Sequence, residues 1–340
     1  MIRRTLKSQT VCCIVICILA SLPNALSGQA FFTSKHFTIQ KLGDGVYAAI
    51  ATNGGYAICN AGIVDLGDAT LVMDPFMTPE AAKDLKKAAE QLTGHSVRYV
   101  INSHFHNDHT GGNQVFGKST IISTQAALRH MREELPLELE ENRKHAAEKA
   151  ASFQLMNPRN MSAHERQEHI MWEAYYDGLA SSVATLKLCY PQLSFTDSMV
   201  IHGRKRDVHL YDCGQAHSEG DLLMYLPGEQ ILFTGGVLFI GCHPWIGDGD
   251  PGRWDNVLQN IQQGHSEVII PGHGRSGNKE DVQPMRQYLQ DLREKVQKYQ
   301  REGHNPHEDK VLKIPEAYAA WTLSVFYKPN LLNMWEKYGY

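Results

Sequence analysis

The chain has 340 residues, of which 42% are hydrophobic and 21% charged, an ordinary globular composition with room for one large core or at most two modest ones. Its formal net charge of −4 gives no electrostatic reason to expect nucleic acid or an anionic membrane as partner. The 17 histidines hint at metal chemistry, but scattered imidazoles are mostly surface groups, so their positions must decide.

At the amino terminus Arg3, Arg4 and Lys7 precede an apolar run at residues 11–22, followed by small residues at Ala25, Ser27, Gly28 and Ala30. That layout predicts a cleavable secretory signal over residues 1–30, and hence a periplasmic or secreted product with no stable membrane span. The apolar run is too short to cross about 30 Å of hydrocarbon comfortably. Cys12, Cys13 and Cys17 would leave with the signal, and the remaining Cys59, Cys189, Cys213 and Cys242 are too scattered for a disulfide framework.

From Phe37 onward, FTIQKL, GVYAAIA, AGIVDLG and ATLVMDP read as short strands separated by Gly-Asp turns, the antiparallel start of a sheet. Residues 78–93 predict a helix with Thr78 as N-cap, Pro79 in its first position and Gly94 as its stop. VRYVIN is the next strand and runs straight into SHFHNDH. Residues 125–182 are rich in helix formers, broken at Asn157-Pro158, and predict a helical insertion lying over the domain. Strands return at 198–201, 207–211, 222–226 and 231–233, then a helix at 255–263 and a last strand at 267–270. A helical C-terminal extension from about residue 279 is expected as two helices, 279–302 and 315–327.

The strongest chemical signal is His104-Phe105-His106-Asn107-Asp108-His109 at a strand end. Alternate residues of an extended segment share a face, so His104 and His106 can grip one ion at about 2.0–2.1 Å. Asp108 and His109, on the loop beyond, can reach a second ion, and Gly111-Gly112 permits close backbone approach. Gly214 to Asp221 (GQAHSEGD) sets His217 on a turn between two strands, where it can complete three ligands for the first and tighter ion. VIIPGHG sets His273 just beyond an apolar strand. His95, His202, His209 and His265 have no such context and read as structural or surface residues.

In that order, HxHxDH, GxxHxxGD, LFTG and PGHG resemble the metallo-β-lactamase superfamily, over residues 37–274. The resemblance implies an α/β fold, a four-layer αβ/βα sandwich with helices outside two facing mixed sheets and metals at the sheet edge. Residues 31–340 would form that one domain. It also implies a zinc-dependent hydrolase with two ions per chain, in which a metal-bound hydroxide attacks the activated acyl carbon of a small-molecule ester, thioester, lactone or amide. Asp108 would both ligate and orient the hydroxide, then help move its proton. Two other readings compete: a true β-lactamase, and a single-iron enzyme of the sulfur dioxygenase type. Asp74 resembles the superfamily's buried carboxylate that orients a ligating histidine. His243 and Trp245, with the Gly-Asp repeat after them, are expected at the cleft mouth, His243 without a metal role.

One position departs from the family pattern. Gly236 stands where the common hydrolases carry an Asp that bridges both ions, and Cys213 and Cys242 lie elsewhere in the sequence. The second ion is then left with Asp108, His109 and His273, and is expected to be held more weakly. Gly236→Asp is expected to tighten it, provided the new side chain fits without distorting the strand.

Overall fold

The computed structural model describes residues 32–338, so the segment read as a secretory signal lies outside the described residues. The chain opens with β1 (Phe37–Gly43), β2 (Val46–Ala51), β3 (Ala61–Asp65) and β4 (Thr70–Met73), each antiparallel to the one before. Helix α1 (Pro79–Thr93) follows; the Thr78 hydroxyl accepts from the Ala81 N–H, and Gly94 at φ 77° ends it. Strand β5 (Val97–Ile101) pairs parallel with β4, the short α2 (Asn107–Thr110) carries the middle of the histidine motif, and β6 (Thr120–Thr124) pairs parallel with β5. Two long helices, α3 (Gln125–Gln154) and α4 (Ala163–Ser182), precede β7 (Leu193–Phe195), which completes a seven-stranded sheet in chain order.

The second sheet begins with the antiparallel strands β8 (Ser198–His202), β9 (Asp207–Asp212), β10 (Leu222–Leu226) and β11 (Ile231–Phe233). After β12 (Phe239–Ile240) and α5 (Pro251–Gln263), β13 (Val268–Ile270) returns parallel to β11, giving the order β13-β11-β10-β9-β8. Strand β14 (His273–Gly274) pairs with β12, and α6 (Gln283–Glu302) and α7 (Tyr327–Tyr338) end the described chain.

Three packed cores produce the four layers. Between the sheets, Val64, Leu71 and Ile101 meet Leu210, Met224 and Phe233. The approach is tight enough that a Cβ at Gly62 would lie 2.9 Å from the Phe233 ring. On the outer face of the first sheet, Ala81, Leu85 and Ala88 of α1 cover Ile63, Val72 and Val100. On the outer face of the second, Trp254 and Leu258 of α5 with Tyr288 and Leu292 of α6 cover Leu232 and Ile269. Strands β3 and β4 are buried along their whole length, because each of their faces meets a core. No helix among the described residues is long and apolar enough to cross a membrane, and all four described cysteines are free thiols.

Two helix boundaries differ from expectation. Helix α5 starts at Pro251, because the Asp250 carboxylate accepts from the N–H groups of Gly252 and Arg253. Residues 315–327 do not form a helix. They hold two short 3-10 turns, and Leu323 sits in the left-handed region at φ 60°. The cause is a tertiary contact: the buried Glu168 carboxylate on α4 accepts from Leu323 N–H (2.6 Å), Ser324 N–H (3.0 Å) and Ser324 Oγ (2.9 Å). Strands β6, β7, β12 and β14 went unread, β12 and β14 being only two residues each and too short to carry a period.

The topology gathers four chain ends at one edge. Asp74 follows β4, the histidine motif follows its parallel neighbour β5, Gly235-Gly236 follow β11, and His273 follows its parallel neighbour β13.

Replacing Glu168 with Ala removes the acceptor of two backbone donors, each costing about 1–3 kcal/mol when left buried and unpaired. We expect unfolding free energy to fall by about 2–4 kcal/mol in urea titrations, with loss of amide-exchange protection at Leu323 and Ser324. Unchanged protection there would show that the latch does not hold the segment.

Candidate metal centre

Asp74 adopts φ 56°, an uncommon conformation for a residue with a side chain, and this turns its carboxylate back under the motif. One oxygen accepts from the Ser103 N–H and the other from His109 Nδ1, both at 2.8 Å. The turn to the histidine motif is thereby set from beneath. Gly111 and Gly112 sit where a Cβ would lie 2.0 Å from the Met77 carbonyl and 1.9 Å from the Pro75 carbonyl, so only glycine allows this approach.

Six of the sequence-predicted side chains converge here as two sets of donors. His104 Nε2 and His217 Nε2 lie 3.1 and 3.0 Å from His106 Nδ1. Every outer nitrogen of this trio has its own partner: Ser103 Oγ for His104 (2.8 Å), the Asp248 carboxylate for His106 (3.0 Å), and the Trp245 carbonyl for His217 (2.9 Å). The turn carrying His217 is pinned by buried Asp221, which accepts from Ser218 N–H and Oγ at 2.9 and 2.6 Å. Burial pushes that carboxyl up to about 6.

The second set lies beside the first. His109 Nε2 and His273 Nε2 are 3.3 Å apart, and each is 3.4 Å from Asp108 Oδ2. Asp74 holds the outer nitrogen of His109, and the Ile58 carbonyl accepts from that of His273 at 3.0 Å. Cys59 was missed by sequence reading. Its buried thiol donates to the Asp108 carbonyl at 2.9 Å, and its sulfur lies within 4.8 Å of the donor atoms of Asp108 and His109. A single Cys in the loop between β2 and β3 has no spacing signal that would have found it.

The electrostatics suit a cation. Burial, and then the neighbouring imidazoles, push His104 and His217 well below the ordinary histidine range; burial brings His273 down to about 4 despite Asp108. These rings are neutral at pH 7 and offer lone pairs. Asp108 stays below the usual carboxylate range, since His109 and His273 outweigh the burial that opposes its charge. Burial also opposes charge on His109, but the carboxylates of Asp108 and Asp74 carry it well above the ordinary value. Three nitrogens about 2.0–2.1 Å from one tetrahedral ion lie about 3.3–3.4 Å apart, close to the spacing of both sets, so the residues fit a divalent metal.

Gly236 has a steric reason to be glycine. A Cβ there would lie 2.4 Å from His217 Cδ2 and 2.8 Å from His104 Cε1. The condition on which Gly236→Asp is expected to tighten the second site, that the side chain fit, is not met with the rings where they stand, since even its Cβ would press on both.

Trp245 lines a cavity of about 860 Å³ that opens over both donor sets, roofed by α3, α4 and the segment after Leu323. Its indole N–H donates to Asp248 at 2.7 Å. His243 does not belong to the cleft. It is fully buried behind it, contacting Tyr288 OH and the Tyr318 carbonyl, both at 3.2 Å, because the chain at 242–243 is tied down by Thr322.

The sequence model of the metallo-beta-lactamase superfamily matches residues 54–273, and the chain belongs to that superfamily. Among curated relatives, the metallo-beta-lactamase type 2 of Bacteroides fragilis is 26% identical over 132 residues, which is 37% of this chain and 53% of the relative. The match thus spans about half the length of that relative. Among solved structures, a metallo-beta-lactamase from Pontibacter korlensis superposes with a TM-score of 0.54 at 16% identity, covering 75% of this chain and 99% of the other. One from Pseudomonas aeruginosa, in a mono-zinc form, gives 0.53 at 15% identity, covering 75% and 95%. At such identities the structural likeness establishes the fold, and membership of the superfamily supports a metal-dependent hydrolase.

Two outcomes are expected from the centre. Gly236→Asp should lower the metal bound by the His104 set, read as metal content after dialysis; unchanged or tighter binding would contradict the clash. Loading the second set at pH 7 should release about one proton, from His109, since a ligating imidazole must be neutral. Calorimetry in two buffers of different ionisation heat measures it, and heats that do not depend on the buffer would refute it.

Proposed function

We propose that this chain is an exported zinc-dependent hydrolase acting on the activated acyl carbon of an ester, thioester, lactone or amide. His104, His106 and His217 would hold one ion, and Asp108, His109 and His273 the other. The observation that carries the reading is the pair of adjacent donor sets whose outer nitrogens are all anchored, the arrangement that fixes tautomer and orientation for metal binding. Imidazole and carboxylate donors without an established thiolate suit zinc. Bound zinc supplies a Lewis acid for the acyl oxygen and a nucleophile drawn from water at neutral pH.

The chain's own groups do the rest. Asp108 lines the cavity floor and faces both His109 and His273, where its carboxylate can orient water and accept a proton. His106 reaches the cavity while its outer nitrogen is held by Asp248, itself a lining residue. With no carboxylate at Gly236, the second ion is expected to be held more weakly than the first.

The names of the relatives favour β-lactam hydrolysis as a second reading. Against it stands the charge of the lining: apart from histidine, its one basic side chain among the described residues is Lys149, whose ammonium lies 5.4 Å over the Tyr176 ring. Among the described residues that line the cavity, no lysine or arginine stands beside the donors to receive the carboxylate such antibiotics carry. Export rests on the basic, apolar and small-residue layout of residues 1–30. Amino-terminal sequencing of extracytoplasmic protein should find a start near Gly28 or Phe31.

Zinc-reconstituted enzyme is expected to turn over members of a panel of chromogenic esters, thioesters and lactones well above a nitrocefin-type lactam. Chelator titration should remove zinc in two steps, with activity falling in the first. Two equally tight ions would refute the argument from Gly236, and one iron per chain would replace the zinc reading with an oxygen-dependent one.

A further inference from the structure

The cavity over the donor sets is built largely from parts outside the superfamily's two sheets. Phe153 comes from α3, Trp172, Tyr175 and Tyr176 from α4, and Val325 and Phe326 from the segment that Glu168 latches to α4. At about 860 Å³ it lies near the upper end of the range for drug-sized ligands, roughly 300–1,000 Å³. Its rim is apolar as well: Leu137 on α3 is 70% exposed and Val325 53% exposed, and both face the opening. Apolar side chains left in water at the mouth of an aromatic chamber are a feature of a site for an apolar ligand.

The charges facing the chamber are mostly negative. Besides Asp108 they are Glu134, Glu138 and Asp248, against the single ammonium of Lys149. Glu134 is engaged by His130 at 2.6 Å, and Asp248 by His106 and Trp245. Glu138 differs. Its neighbours are the uncharged amides of Asn107 and Asn142, and among the described residues it forms no ion pair. Burial pushes its carboxyl up to about 7 although His106 pulls the other way, so a ligand cation seated against it would favour the charged form. Asn107 adjoins Asp108, so Glu138 stands one residue from the reacting centre, at the foot of the aromatic walls.

Resting on the hydrolase reading of this same site, the geometry points to a substrate class: a bulky, largely apolar molecule that is neutral or carries a basic nitrogen, with Glu138 as its polar anchor. An ammonium gains from both features, since the carboxylate supplies its counter-charge and aromatic faces attract cations. Placed against Glu138, an anionic group would meet that carboxylate with Glu134 and Asp248 nearby, and its counter-charges would be the ions on the floor and a lysine already lying over a ring. Trp172 and Phe326 set the size preference, because they face the chamber from α4 and from the latched segment.

The test uses zinc-loaded full-length protein and non-hydrolysed aryl-alkyl amides, read by quenching of Trp172 and Trp245 fluorescence. Three probes share one apolar body and end in a trimethylammonium, a methyl or a sulfonate group, the sulfonate being a poor zinc ligand; a fourth is a small acetamide. We expect the cationic probe to bind about tenfold tighter than the sulfonate probe, with the neutral one between them, and the acetamide weakest. Glu138→Gln should erase the preference for cation over neutral while keeping the size preference, and Phe326→Ala should lower affinity for the bulky neutral probe severalfold. Tightest binding by the sulfonate probe, or equal binding of large and small amides by the unmodified protein, would overturn the assignment. Binding is read without turnover, so a protein that binds these probes but hydrolyses nothing would sink the hydrolase reading alone. A protein that hydrolyses only small or anionic substrates would sink this assignment alone.

Discussion

Asp74 places a carboxylate that is 1% exposed between the backbone N–H of Ser103 and Nδ1 of His109. A charge so deeply buried is tolerated only when its oxygens are satisfied, so both bonds must form together. One sets the turn that delivers His104 and His106; the other sets the ring of His109. The two donor sets are thereby fixed to a single point at the end of β4, and the cost is a left-handed backbone at Asp74. The remaining outer contacts, to Asp248, Trp245 and Ile58, come from loops that reach this point only because the two sheets pack face to face.

Close packing explains the glycines better than flexibility does. Gly111 and Gly112 touch the carbonyls of Met77 and Pro75, a Cβ at Gly272 would lie 2.4 Å from the Gly235 carbonyl, and Gly236 lies under the His104 and His217 rings. At each position a side chain would displace either a donor or the backbone that carries one. The missing bridging carboxylate at Gly236 is therefore part of how the first set is packed.

The chemistry and the choice of substrate occupy different layers of the molecule. The donors stand on the sheet edge, at the ends of strands and in the loops beyond them. The chamber above them is contributed by α3, α4 and the segment held by Glu168, and its charge and aromatic character come from those elements. A change in the roof can alter what is admitted while leaving the donors in place, because the roof touches the site through few polar contacts, the one between Asn107 and Glu138 among them.

Local patterning was enough to reveal most of the frame. Alternation and turn residues marked β1 to β5, Thr78 and Gly94 bounded α1, and the strand-end spacing of His104 and His106 held because neighbouring residues on an extended chain have fixed directions. The order of motifs carried His217 and His273 into the same group. Contacts between distant segments decided the rest. Cys59 reaches Asp108 only through the fold, His243 is drawn into the core by Tyr288, and Glu168 converts an expected helix at 315–327 into a latched loop. Those outcomes depend on which surfaces meet, and a periodicity read within one segment holds no information about its partner across the sandwich.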